Sequence, residues 1–289
     1  MTITIYFHQY EEAESAIYTI NGNMRRLSIK PAAVIKQGYP PWSISIPMTM
    51  KTEIESLAQK MAAATRDIVE KKKLMHIIKH HFLYDEEESQ LIAAVAASLI
   101  SGEIAGVPEV QQLPCLDEHV LHAWRSFFRQ PPEEFSFESF VTFRLKHYEH
   151  ILKNYVECAI DEYKMELEYQ MFIDHIRRCV DRQPPAADHV TVVYNGEFIL
   201  FDSMMQPFTK EQIGGLYEKS LLITKEIDLD ERVLGPLVAL SPEKISVYTE
   251  TFDHALLHTI QNIFEEKISL NHLSSLPKKK KRINIRKKS

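Results

Sequence analysis

The stretch that decides the fold is residues 136–183, SFESFVTFRLKHYEHILKNYVECAIDEYKMELEYQMFIDHIRRCVDRQ, which contains neither glycine nor proline. Its apolar residues recur at spacings of three and four, as in an α-helix with one buried face. The pattern predicts one long helix or two nearly collinear ones. Pro184 and Pro185 follow it. Because proline cannot continue a helix interior, we expect a domain boundary there.

Working outward toward the N-terminus, residues 51–83 repeat the helical spacing, interrupted at Lys71. A helix packed on its neighbours explains this short pattern better than a dimeric coiled coil does. Asp85 and Glu88 have the spacing of a capping box, which predicts a further helix ending near Ser101. The acidic run 85–88 is therefore explained structurally, since anions stabilise a first helical turn. A shorter helix is expected around 115–129.

Strand patterns stand at both ends of the chain. Residues 3–7 alternate apolar and polar side chains, a helix is expected over 9–20, and 42–46 alternates again. Prolines on both sides of that last segment indicate an edge strand. Asn195-Gly196 between apolar runs predicts a hairpin with a type I′ turn. The elements expected after it are a strand at 220–224, a helix at 229–240, a strand at 244–248, a helix at 253–264 and a strand at 266–270.

The predicted fold class is mixed α+β and predominantly helical, with long central helices flanked by short β-strands at both ends. The predicted organisation is a β-α-β piece at 1–49, a helical region at 50–183, an α/β region with the hairpin at 188–273, and a disordered basic tail at 274–289. One arrangement open to the terminal strands is a single shared sheet, which would make one domain.

Composition indicates a soluble globular protein. The chain has 289 residues, 45% of them apolar and 26% charged. These values exclude a disordered, collagen-like or disulfide-stapled chain. The three cysteines form no Cys-x-x-Cys pair, which is typical of reduced thiols. With no secretion signal and no apolar run long enough to span a bilayer, we expect a cytoplasmic protein that is not membrane-spanning.

The charge is unevenly distributed. Residues 277–289 hold eight cations and no anion, whereas the other 276 residues carry 26 cations against 40 anions. Such a tail is suited to non-specific nucleic acid or another anionic surface. A solubilising tail, or one that folds back on the acidic body, explains it equally well. The candidate anion-binding residues are Lys278, Lys279, Lys280, Lys281, Arg282, Arg286, Lys287 and Lys288.

Common catalytic signatures are missing from the sequence. It has no G-x-G-x-x-G, no Walker pattern and no Gly-x-Ser-x-Gly elbow. Enzymatic activity is therefore disfavoured, and we expect no cofactor.

One constellation suits a metal. Cys115, His119 and His122 share a helical face and would supply three zinc ligands, with His147 or His150 as further candidates. Against this, the sequence has 13 histidines and no His-Glu-x-x-His motif, so such pairs also arise by chance. Cys115 near a helix start is alternatively a thiolate with His119 as its base, or a buried inert thiol.

The long central helix resembles the YtxC-like family of sporulation proteins of endospore-forming bacteria. Further similarity lies in residues 82–88, 190–202, 240–245 and 259–264. The residues that carry the central resemblance are Phe140, Arg144, Tyr148, Asp161, Tyr163, Glu166, Glu168, Tyr169 and Phe172.

The resemblance implies a cytoplasmic protein of a spore-forming Firmicute, a relative of Bacillus, with a role in sporulation. It implies no enzymatic activity and no catalytic residue. His147, His150 and the basic tail depart from the family pattern, which weakens the metal hypothesis. We therefore favour a non-enzymatic protein that acts through an unidentified protein partner. The alternatives are a nucleic-acid-associated protein that uses the tail and a metal-dependent enzyme that uses the histidine pairs.

Overall fold

The chain folds into two compact units, residues 1–165 and 166–289. The computed structural model describes residues 2–21, 34–36, 42–47, 52–225 and 227–276. Each unit has its own four-stranded sheet and its own apolar core. The predicted fold class, mixed α+β and predominantly helical, is confirmed. The expectation that the terminal strands share one sheet is wrong, because they belong to two separate sheets.

The sheet of the first unit contains the strands β1 (Thr2–Phe7), β2 (Val34–Lys36), β3 (Trp42–Pro47) and β4 (Glu134–Ser136). Their order in the sheet is β2-β3-β1-β4. β1 pairs antiparallel with β3 and parallel with β4. The expectation that 42–46 is an edge strand is wrong, because β3 lies between β2 and β1. Pro47 ends β3 opposite Thr2, where its missing N–H does not interrupt the ladder.

Seven helices within the described residues belong wholly or partly to the first unit. They are α1 (Tyr10–Asn21), α2 (Thr52–His81), α3 (Glu86–Ser101), α4 (Pro108–Gln111), α5 (Leu116–Phe127), α6 (Phe137–Arg144) and α7 (Lys146–Asp181). The predicted cap of α3 is confirmed, since Asp85 Oδ1 accepts a hydrogen bond from the Glu88 amide at 2.9 Å. Gly102, at φ 78°, caps the other end in the left-handed conformation that favours glycine.

Residues 136–183, the stretch without glycine or proline, contain two helices rather than one. Ser136 caps α6 by accepting a hydrogen bond from the Ser139 amide. Leu145 departs from helical geometry, at φ −106° and ψ 21°, and α7 begins at the next residue. The division between the two units falls within α7.

The elements of the second unit are β5 (His189–Tyr194), β6 (Phe198–Phe201), α8 (Lys210–Thr224), α9 (Leu234–Leu240), β7 (Lys244–Thr249), α10 (Ala255–Phe264) and β8 (Ile268–His272). Its sheet has the strand order β6-β5-β7-β8, in which β5, β7 and β8 are parallel. The β5–β6 pair is the predicted antiparallel hairpin.

Two sequence expectations fail in this unit. Gly196 alone has a positive φ in the hairpin connection, so the turn is not type I′. The strand expected at 220–224 is the last part of α8. That helix begins with a complete capping box between Thr209 and Gln212. Its side chains follow the helical period, so Ser220 is buried while Leu222 is 84% exposed.

Candidate functional site

Two of the clefts that border α2 in the first unit differ in the chemistry of their walls. One lies between α2 and α3 and is lined by Asp67, Lys71 and Met75 on the α2 side. The other lies between α2 and the α6–α7 segment and is lined by Lys73, Ile77 and His81. At about 100° per residue, the centres of these two sets lie about 120° apart around the axis of α2, so the clefts open on different sides of the helix.

The α2–α3 groove, defined by the residues around Lys71 and Ala94, has a volume of about 910 Å³ and an apolar floor. Leu74 and Ala93 are buried in that floor, while Ala94 and Ala97 of α3 are open to solvent. Alanine leaves the helix backbone accessible to a close neighbour. The floor of the groove is therefore apolar and partly open to solvent.

Charged side chains form the rims of this groove. Arg66 pairs with Glu70 at 3.2 Å, Lys79 pairs with Glu86, and Lys72 donates to Glu12 at 2.7 Å. Asp67 and Lys71, one turn apart on α2, make no ion pair with any described residue. These two opposite charges are thus available to a partner.

The predicted metal ligands are only partly brought together. Cys115 is the exposed N-cap of α5, and its side chain makes no capping hydrogen bond. The His119 ring packs edge-on against that of His147, with centroids 4.8 Å apart. Burial, His147 and His122 lower the pKa of His119 despite the opposing charge of Glu118. In the part of the chain that the structure describes, no group of three or more His, Cys, Asp or Glu is placed to hold a metal ion.

Of the residues that carry the family resemblance, Phe140 and Tyr148 are buried in the core of the first unit, and Arg144 lies exposed beside it. The Phe140 ring stacks on Trp124, with centroids 3.6 Å apart. The Arg144 guanidinium lies 5.9 Å from the centre of the Phe127 ring. Tyr148 is buried and its hydroxyl donates to Glu70 at 3.5 Å. These contacts assign Phe140, Arg144 and Tyr148 structural positions.

The remaining family residues lie farther along α7. Asp161, Glu166 and Glu168 are exposed and Tyr163 is half-buried. In the second unit, Tyr169 accepts a hydrogen bond from Asn262 Nδ2 at 3.1 Å, and Phe172 packs against the core.

The cations of the tail, from Lys278 to Lys288, lie outside the described residues. The tail and metal hypotheses stay predictions. Sequence reasoning did not single out Asp67, Ala94 or Ala97 as site residues. The only signal near the groove was Lys71, which interrupts the apolar spacing of α2.

Comparison with known proteins decides the family. The YtxC-like family model matches residues 55–269. The chain belongs to the YtxC-like family. It is 31% identical over 216 residues to the uncharacterized protein YtxC of Bacillus subtilis (strain 168), a match covering 70% of this chain and 71% of the relative. No solved structure gives a significant match. The matched range includes both clefts along α2 but not β1, α1, β2 or β3.

Membrane insertion is a separate matter. Within the described ranges, every helix is too short or too polar to cross a bilayer.

The buried position of Tyr148 beside Glu70 can be tested through the pH dependence of stability. Burial, reinforced by the nearby Glu70 carboxylate, raises the pKa of Tyr148, so the folded protein disfavours the phenolate. An ordinary tyrosine ionises near pH 10. The stabilisation is therefore fully present below that pH and is lost as the pH rises through the native value. We expect Tyr148→Phe to lose less unfolding free energy between pH 9 and pH 11 than the wild type.

The measurement is urea unfolding followed by far-UV circular dichroism at both pH values. Tyr18→Phe, which alters an exposed ring, is the matched control and should behave as the wild type. Equal alkaline losses in Tyr148→Phe and wild type would contradict the assignment.

Proposed function

We propose that this chain is a non-enzymatic, sporulation-associated cytoplasmic protein that acts by binding another protein. We further propose that the α2–α3 groove receives an amphipathic helix of that partner. The observation that carries the proposal is the apolar surface that Ala94 and Ala97 leave open to solvent, beside two rim charges, Asp67 and Lys71, that make no ion pair with a described residue. Amphipathic helices bind in grooves of this kind through apolar side chains at helical spacing.

The sporulation role is supported by the resemblance of the central helix to the YtxC-like family. The cytoplasmic location is supported by three free cysteines, two of them half-buried. The non-enzymatic role is supported by the sequence, which offers no common catalytic signature.

The rim charges specify the chemistry of the partner. Asp67 and Lys71 stand four residues apart, or about 6 Å along α2. A partner helix that carries a base and an acid one turn apart would pair with both charges. Complementary charges at a rim fix register and exclude wrong partners more than they add affinity. We therefore expect a partner segment with an apolar stripe and such a charge pair beside it.

The test blocks the groove with larger side chains. Ala94→Arg with Ala97→Arg places two long side chains over the floor, and arginine keeps a high helix propensity. Leu91→Arg is the matched control, because Leu91 lies on the same helix, is 56% exposed and does not line the groove. Full-length tagged proteins capture partners from sporulating cells, and the retained protein is then purified for titration against each variant.

We expect at least tenfold weaker binding by the double variant, wild-type binding by Leu91→Arg, and mapping of the contact to an amphipathic helix. In Lys71→Glu, a matching acid-to-lysine change in the partner should restore binding. Equal binding by the double variant and the wild type would overturn the groove assignment. Self-association that is lost in the double variant would replace the separate partner with a second copy of this chain. Catalytic turnover would overturn the non-enzymatic role.

A further inference from the structure

The cleft between α2 and the α6–α7 segment, here the basic cleft, has a volume of about 410 Å³. Three lysines and two histidines line it, together with a single carboxylate among its described lining residues. These groups are Lys73, His81, Lys146, His150, Lys153 and Glu149. The three lysines against one carboxylate contrast with the rest of the first 276 residues, where anions outnumber cations.

The basic side chains form two rows. Lys146, His150 and Lys153 lie at offsets of zero, four and seven residues, which places them within about 60° on one face of α7. Their row extends about 10.5 Å along the helix axis. Lys73 and His81 stand eight residues apart on α2, about 12 Å along that axis. The basic cleft is thus elongated, with basic side chains along both walls.

Two of the lysines lack a carboxylate partner. Lys73 Nζ lies 2.5 Å from Glu149 Oε2, so its charge is compensated. Lys146 and Lys153 make no ion pair with any described residue, and Lys153 Nζ lies 5.8 Å from the centre of the Phe82 ring. Like charges in one cleft repel each other, and the low-dielectric walls strengthen their combined field. An anion between them would relieve that repulsion.

We propose that the basic cleft binds a ligand with phosphate groups in tandem, such as a linear oligophosphate or the phosphate chain of a nucleotide. The length of the two rows suits several phosphates better than one. Lysine binds phosphate as a point charge, whereas planar carboxylates are more often held by arginine forks. The volume lies in the range of small-molecule sites. No Phe, Tyr or Trp side chain lines the described cleft, so we expect the phosphates, not a base, to be recognised.

The experiment is isothermal titration calorimetry of the full-length chain with inorganic tripolyphosphate at low salt. The eight tail cations are replaced by glutamine in every protein, so that binding to the tail does not obscure the cleft. Lys146→Gln with Lys153→Gln should bind at least tenfold more weakly, since both uncompensated charges are lost. Lys210→Gln with Lys219→Gln, two exposed lysines of α8, is the matched control and should bind as the parent does.

Glu149→Gln gives a result that misfolding cannot imitate. Removal of this carboxylate frees Lys73 and lowers the repulsion of an anion, so we expect about threefold tighter binding. Failure of the parent to bind tripolyphosphate, or equal binding by the Lys146/Lys153 variant, would overturn the proposal.

Two further titrations distinguish which kind of anionic ligand the basic cleft recognises. A nucleoside triphosphate that binds as tightly as tripolyphosphate would support recognition of the phosphates alone. Strong preference for the nucleotide would overturn that recognition mode. Tighter binding of an oligoglutamate peptide would overturn the phosphate assignment in favour of an acidic protein segment.

Discussion

Replacing Trp124 with alanine is expected to lower the free energy of unfolding of the first unit by about 3–5 kcal/mol. The indole is fully buried, stacks on Phe140 and packs against Phe128, with centroids 5.2 Å apart. Its Nε1 donates to Thr65 Oγ1 at 2.9 Å, and that hydroxyl donates to the Met61 carbonyl at 2.6 Å. Truncation therefore opens a cavity and also removes a buried hydrogen bond.

Urea unfolding followed by circular dichroism measures the effect. Thr65→Val leaves the indole N–H without its acceptor and should cost about 1–3 kcal/mol. Trp42→Ala is the matched control, because Trp42 is the other tryptophan of the chain and is only half-buried, so its loss should cost less. A Trp124→Ala protein no less stable than Trp42→Ala would show that the aromatic cluster is not the centre of this core.

Gly235→Ala is expected to destabilise the second unit by about 1–3 kcal/mol. A methyl group on Gly235 would lie 2.9 Å from Tyr217 Cδ2, 3.0 Å from Ser220 Oγ and 3.3 Å from the Asp230 carbonyl oxygen. The first two contacts belong to α8, which packs against α9. Real Cβ atoms do not approach so closely, so α9 and α8 must separate or their side chains must leave preferred rotamers.

Two other glycines of the second unit provide a control, because alanine there is expected to change the stability in the opposite direction. Gly214 and Gly215 lie in α8, and nothing stands within 4 Å of where their Cβ atoms would be. Alanine at either position should stabilise the helix by about 0.5–1 kcal/mol, because glycine loses more backbone freedom on folding. Thermal unfolding of the three variants gives the signs. A stabilising Gly235→Ala would contradict the close approach of α8 and α9.

The long helices were predictable because their apolar spacing extends over many turns. The capping residues were predictable as well, since Asp85 acts locally on Glu88. Strand order was not predictable, because β1 and β4 are far apart in sequence and nothing local specifies their pairing. The segment 220–224 misled the sequence reading because its β-branched and leucine residues suit a strand. The capping box at Thr209, eleven residues upstream, sets the helix instead.

The candidate sites were less predictable than the fold. Lys71 was visible only as an interruption of an apolar pattern. Ala94 and Ala97 belong to the apolar run 91–100, in which nothing local marks the side that stays open to solvent. His150 was considered as a metal ligand, but its neighbours in the basic cleft include residues of α2 that lie some 70 positions earlier. Which helices face each other decides such clusters, and helical period alone does not contain that information.

The parallel pairing of β1 with β4 has a consequence for synthesis on the ribosome. Thr4, Ile5 and Tyr6 pair with Glu134, Phe135 and Ser136, about 130 residues later in the chain. At about 5–20 residues per second, β4 follows β1 by roughly 7–26 s. β3 emerges much earlier and can pair with one side of β1, while the other side stays an open edge able to pair with neighbouring chains. Nascent copies on one messenger are therefore most exposed to mispairing during this interval, which ends when β4 covers β1.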